Sequence, residues 1–166
     1  MTNIAGLWHL DEAAGTTGSG SVKDTSTASG SPNNGTPTNI TFGSSGRFNT
    51  AAAFSGSSYI DLGANAANYT NNFTISSWFK TSSTADIRPS ISRRSGGATQ
   101  YDIYLHGNVF CFWTGTSYCG SQVVNNNSWH FGVVVINGSS SQLYVNGLAD
   151  ATFNTTSGDK TDDIYR

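Results

Sequence analysis

Residues 101–124 read Tyr101-Asp102-Ile103-Tyr104-Leu105-His106-Gly107-Asn108-Val109-Phe110-Cys111-Phe112-Trp113-Thr114-Gly115-Thr116-Ser117-Tyr118-Cys119-Gly120-Ser121-Gln122-Val123-Val124. Three runs rich in β-branched and aromatic residues are separated by Gly-centred breaks, the signature of a strand meander. Reading His106-Gly107-Asn108 and Thr114-Gly115-Thr116 as three-residue connections predicts strands at 101–105, 109–113 and 117–124. It also fixes a register. Leu105 pairs with Val109, Ile103 with Cys111 and Tyr101 with Trp113. In the second hairpin Trp113 pairs with Ser117, Phe112 with Tyr118 and Cys111 with Cys119. Period two then separates an aliphatic face (Ile103, Leu105, Val109, Cys111, Cys119) from a second face carrying Asp102, Tyr104, Phe110, Phe112 and Tyr118.

Outward from the meander the same rhythm continues. Strands are expected at 129–136 and 142–146, and Asn146-Gly147 is a strong hairpin signal leading into 148–153. Upstream, 73–80, 58–62, 51–54 and 4–10 read as strands. Residues 11–47 form a long polar region with a short strand at 38–42. Residues 81–99, which hold Pro89, Arg93 and Arg94, read as a loop.

Composition agrees with an all-β reading. Ser, Thr, Asn and Gly fill nearly half of the 166 residues, glutamate occurs once, at Glu12, and lysine three times. Strong helix formers are therefore scarce, which excludes a helical bundle. Four tryptophans and a 36% hydrophobic content supply a core, which excludes disorder. The net charge of −2, with no basic run beyond Arg93-Arg94, leaves no nucleic-acid footprint. No apolar stretch is long enough to span a membrane. A polar, low-charge β protein suits an extracellular, cell-surface or virion setting.

The strings then resemble a laminin-G-like, concanavalin A-like jelly-roll domain of the bacterial and phage type. Gly6-Leu7-Trp8-His9-Leu10-Asp11-Glu12 resembles its opening W-x-[FL]-D-E. Val22-Lys23-Asp24-Thr25-Ser26 and Asn33-Asn34-Gly35-Thr36 are similar to V-x-D-x-S…N-N-G-T. Phe54-Ser55-Gly56, Tyr59-Ile60-Asp61-Leu62, Phe73-Thr74-Ile75-Ser76-Ser77-Trp78-Phe79-Lys80, Trp129-His130 and Leu143-Tyr144-Val145-Asn146-Gly147 follow in family order. The resemblance implies one domain over 1–166, a two-sheet antiparallel sandwich, and a role as a non-catalytic binding or adhesion module, with a glycan or cell-surface polysaccharide as first-choice ligand. It also puts Trp8 and Trp129 on core positions. Family members end in a G-x-I-D-[ED]-[VL]-R strand region that begins here at Asp162-Asp163-Ile164-Tyr165-Arg166. A truncated chain, a strand supplied by a partner peptide or second chain, and an N-terminal rearrangement are the open explanations. The second is favoured, and it makes a protein-interaction or assembly module the alternative function.

Glycoside hydrolysis needs two carboxyl groups at defined separation, and one glutamate with scattered aspartates does not provide the E-x-D-x-x-E string of related glucanases, so no catalysis is expected. Asp24, Ser26, Asn33 and Asn34 offer oxygens for a structural calcium, or else make Asx-turns. Cys111 and Cys119, opposite in the hairpin, form either a disulfide or two buried thiols. Trp78 is out of phase with Phe73 and Ile75, so it is core only if a bulge intervenes. Trp113 matches no family position. With Tyr101, Tyr104, Phe110, Phe112 and Tyr118 it offers aromatic faces to a sugar ring, while Arg93, Arg94, Asp102, His106 and Asn108 take hydroxyls. The competing reading packs these aromatics against the other sheet or under 81–99.

Overall fold

The computed structural model describes residues 4–26, 32–63, 72–85, 87–95, 98–155 and 164–165, with backbone alone at 87–90, 93–95, 98–100 and 164–165. The chain forms two compact units, Met1–Ala67 with Asp162–Arg166, and Asn68–Thr161.

In the first unit β1 (Thr36–Thr38), β2 (Thr41–Ser45), β3 (Thr50–Ala53) and β4 (Tyr59–Asp61) form two antiparallel ribbons, β1 with β4 and β2 with β3. Their small core is Val22, Phe42 and Ile60, flanked by Trp8, Leu10, Ile40, Ala52 and Leu62. Gly35 is required there, because a Cβ would press on Ile60 and Leu62. The strand expected at 4–10 is absent. Trp8 makes a single bridge to Asp24, and Leu10 turns the backbone out of extension at φ 58°.

The second unit contains β5 (Asn72–Lys80), β6 (Ile87–Ser95), β7 (Ala98–His106), β8 (Val109–Trp113), β9 (Ser117–Val123), β10 (Trp129–Asn137), β11 (Ser141–Val145) and β12 (Leu148–Phe153). One sheet runs β12-β11-β10-β5, and the other carries β6-β7-β8-β9 in that order. The segment read as a loop at 81–99 thus contains a nine-residue strand. Pro89 concealed it, since proline donates no ladder bond. The register is irregular between Ile87 and Ile91, which accommodates the proline.

Strand β10 alternates strictly, with His130, Gly132, Val134 and Ile136 buried and Trp129, Phe131, Val133 and Val135 less so. Its register with β5 is unbroken from Trp129–Lys80 to Asn137–Asn72. No bulge intervenes, so Trp78 points outward, 41% exposed, beside Phe131 at 5.1 Å. Trp129 shares that outward side with Lys80, which corrects its expected core position.

Aromatic rings join the two sheets. Phe79 stacks on Phe110 at 5.6 Å, Phe73 meets Tyr101 at 5.5 Å, and Phe153 touches both Phe112 at 5.9 Å and Tyr118 at 4.5 Å. Gly132 gives Phe110 its space, since a Cβ would lie 2.6 Å from the ring's Cζ.

The first hairpin of the meander departs from expectation. His106 pairs with Val109, Leu105 with Phe110, Ile103 with Phe112 and Asp102 with Trp113. The connection is therefore the two residues Gly107-Asn108. Gly107, at φ 59°, holds the positive angle that a type II′ turn needs at its first central position. Counting three loop residues shifts the pairing by one and exchanges the faces. The second hairpin has the expected register, with Cys111 opposite Cys119, Phe112 opposite Tyr118 and Trp113 opposite Ser117.

A further strand, β13 (Ile164–Tyr165), lies in the terminal region of the family pattern. Asp162, Asp163 and Arg166 lie outside the described residues, so the expectation of a donated strand falls largely there.

Candidate functional site on the outward face of β6 to β9

The corrected register sorts the candidate residues. Tyr101, Phe110 and Phe112 are buried at 4%, 0% and 0% exposure and belong to the sandwich core, with Ile103 and Leu105. Tyr118 joins them, stacked on Phe153 and donating its hydroxyl to the Asn154 carbonyl at 3.0 Å. These four do not share a face with Trp113. The reading that packs them against the second sheet describes their positions.

The outward face is built from three rows of register partners, which project to one side of an antiparallel sheet. The first row is Ser92, Asp102, Trp113 and Ser117. The second is Tyr104, Cys111 and Cys119, and the third is His106, Val109 and Val123. Tyr104 Oη donates to Ser117 Oγ at 2.6 Å, tying the first row to the second. Tyr104 also meets His106 edge-on at 6.5 Å. Exposure rises from β6 to β9 along the first two rows. Ser92, Asp102, Tyr104 and Cys111 are buried, Trp113 is half-buried, and Ser117, Cys119 and His106 are exposed. Arg93 and Arg94 lie on β6, but their side chains are outside the described residues. Asn108 is exposed at the II′ turn.

The Cys111 and Cys119 sulfurs are bonded at 2.06 Å, so the second row closes covalently at the sheet edge. Ser92 and Ser117 were not legible as site residues from the sequence. The alternation Ser90-Ile91-Ser92 was the available signal, hidden by reading 81–99 as a loop.

The Asp24 loop has a different character. Asp24 Oδ1 accepts the amides of Leu7 at 3.0 Å and Ser26 at 2.9 Å, and Oδ2 accepts that of Asn33 at 2.9 Å. Asn34 Oδ1 accepts the Asp24 amide at 3.0 Å, and the Trp8 indole donates to the Asn33 carbonyl at 2.9 Å. Burial alone would raise the Asp24 pKa. The amide bonds from Leu7, Asn33 and Ser26 outweigh it and hold the carboxyl below its ordinary 3.8. The Ser26 bond is an Asx-turn, and the Leu7 and Asn33 bonds tie the carboxylate to more distant segments of the chain. Among the described residues no three His, Cys, Asp or Glu side chains gather into a metal-binding group.

A family model described as the concanavalin A-like lectin/glucanases superfamily matches residues 54–165. No curated protein sequence matches the chain. Among solved structures, the chain is similar to domain 4 of AbnA, a GH43 extracellular arabinanase from Geobacillus stearothermophilus, solved in complex with arabinotriose. The two are 14% identical with a TM-score of 0.60, over 77% of this chain and 65% of that one. The chain thus spans a little under two thirds of that domain, and the likeness is one of fold. On the family match, which covers most of its length, the chain belongs to the concanavalin A-like lectin/glucanase superfamily.

Proposed function

We propose that the protein is a non-catalytic carbohydrate-binding module, acting outside the cell or on a surface, whose ligand lies on the outward face of β6 to β9. The observation that carries this reading is Trp113. Its half-buried indole stands between Asp102 and Ser117 in one row of a face that also holds Tyr104 and His106. A sugar ring presents an apolar C–H side to an aromatic ring and hydroxyls to carboxylate, hydroxyl and imidazole groups. An aromatic body with polar neighbours suits that ligand. The opposite face of the same sheet is apolar and aromatic and belongs to the core.

Three further points support the reading. The superfamily includes lectins. The arabinanase domain that shares the fold was solved with a bound oligosaccharide. The Cys111–Cys119 bond suits an oxidising exterior. Asp102 is the carboxylate in these three rows, where hydrolysis of a glycosidic bond uses a pair. A glycan array with the intact protein tests the reading. Retention of one or more neutral glycans, lost in Trp113→Ala, is expected. Retention unaffected by Trp113→Ala would place the ligand elsewhere.

A further inference from the structure

Ser92 on β6 and Asp102 on β7 are direct register partners on the outward face. They are only 1% and 3% exposed, yet Ser92 Oγ and Asp102 Oδ1 have no hydrogen-bond partner among the described residues. Buried polar atoms are nearly always satisfied, and leaving one unsatisfied is costly. The next residue in their row is Trp113. Two orphaned oxygens thus belong to register partners in the row that also holds the half-buried Trp113.

Resting on the carbohydrate reading above, we propose that Asp102 and Ser92 form a subsite for a sugar hydroxyl and restrict the ligand to uncharged glycans. A carboxylate only accepts hydrogen bonds, whereas a serine hydroxyl donates and accepts. One ligand hydroxyl completes both, donating to Asp102 and accepting from Ser92. An ammonium satisfies Asp102 but has no acceptor for the Ser92 proton. A sugar carboxylate or sulfate offers Asp102 no donor and sets like charge against it where water is sparse. Uronic acid and sulfated chains are therefore rejected at this position.

The test is calorimetric titration of the intact protein with arabinotriose, xylotriose and cellotriose against trigalacturonate at one ionic strength. At least one neutral trisaccharide binds about tenfold or more tightly than trigalacturonate. Asp102→Asn weakens the neutral sugar by about tenfold, the loss expected for a hydrogen bond to a charged acceptor, and brings the neutral-to-acidic ratio close to one. Ser92→Ala weakens the neutral sugar without lowering the melting temperature, because Ser92 Oγ has no partner to lose among the described residues. Equal binding of acidic and neutral trisaccharides would overturn the subsite. So would an unchanged ratio in Asp102→Asn, or a fall of more than about 3 °C in the melting temperature of Ser92→Ala. In each of those cases, binding that is still lost in Trp113→Ala leaves the carbohydrate reading intact. Failure of every trisaccharide to bind the unaltered protein overturns that reading and the subsite with it.

Discussion

Asn146 donates from Nδ2 to His130 Nδ1 across 3.0 Å, while its Oδ1 accepts the amide of Phe131 at 2.9 Å. The Trp129-His130 strand and the Leu143–Gly147 hairpin, two segments that carry the family resemblance, are thereby locked to each other. The bond also fixes the tautomer. An amide nitrogen only donates, so Nδ1 is the acceptor and the ring proton sits on Nε2, facing Asn126 Oδ1 at 2.9 Å.

A pH dependence follows. Burial holds the His130 pKa below its ordinary 6.5. Between that lowered value and 6.5 the unfolded chain binds more protons than the folded one. Stability is therefore fully present above about pH 6.5 and falls as pH drops below it. Urea unfolding from pH 7.5 to 5 should show this slope, and His130→Gln should flatten it. A slope that survives the substitution assigns the effect to another group.

Asp24 gives a second, lower window. Its folded pKa lies below 3.8, so its stabilisation is present above that value and is lost as pH falls through the folded one. Asp24→Ala strips acceptors from the Leu7, Ser26 and Asn33 amides and should cost about 1–3 kcal/mol at neutral pH. The difference between variant and parent should shrink in acid unfolding below about pH 4. Because hydrogen bonds organise this loop, EDTA should leave the melting temperature unchanged, and a clear fall would instead assign the loop a calcium ion.

Gly132 tests the sandwich core. Gly132→Ala sets a methyl against the Phe110 ring, with Phe79 also close, and overpacking of this kind costs about 1–3 kcal/mol. Chemical denaturation measures the loss. Phe110→Leu should recover part of it in the double variant, and simple additivity would mean the two positions do not touch.

The disulfide closes a short loop between positions 111 and 119. The chain-entropy estimate for such a loop is about 2–3 kcal/mol. Reduction, or the Cys111→Ala/Cys119→Ala pair, should lower stability by roughly that amount and loosen the edge that holds Ser117 against Tyr104. Faster amide exchange at 117–119 would register it, and unchanged exchange would count against the clamp.

Much of the architecture was legible in the sequence, and the reasons for the exceptions are local. Strands β8 and β12 have the expected bounds, and the Thr114-Gly115-Thr116 hairpin has the expected register. Trp78 lies outside the core for the stated reason, its phase against Phe73 and Ile75. The Gly107 hairpin misled because glycine serves equally at the centre of a three-residue loop and at the first position of a II′ turn. That single residue of slip made Phe110 and Phe112 ligand candidates and left Cys111 among the core aliphatics. Ser92 was lost behind Pro89, whose effect on pairing depends on a register irregularity that sequence alone does not show. Asp102 and Trp113 were candidates from the outset, but their adjacency required the corrected register.

The proposed sugar site is Trp113 on the outward face of β6 to β9. The four tryptophans report on different places. Trp8 lies in the first unit with its indole bonded to Asn33, Trp78 and Trp129 lie on the outward side of the other sheet, and Trp113 lies on the proposed face. The most direct measurement follows the four indole N–H signals by heteronuclear NMR while a neutral trisaccharide, arabinotriose or xylotriose, is added. The Trp113 signal should move in a saturable way while the other three hold still. A shift centred on Trp78 or Trp129, or four unmoved signals, would contradict the account.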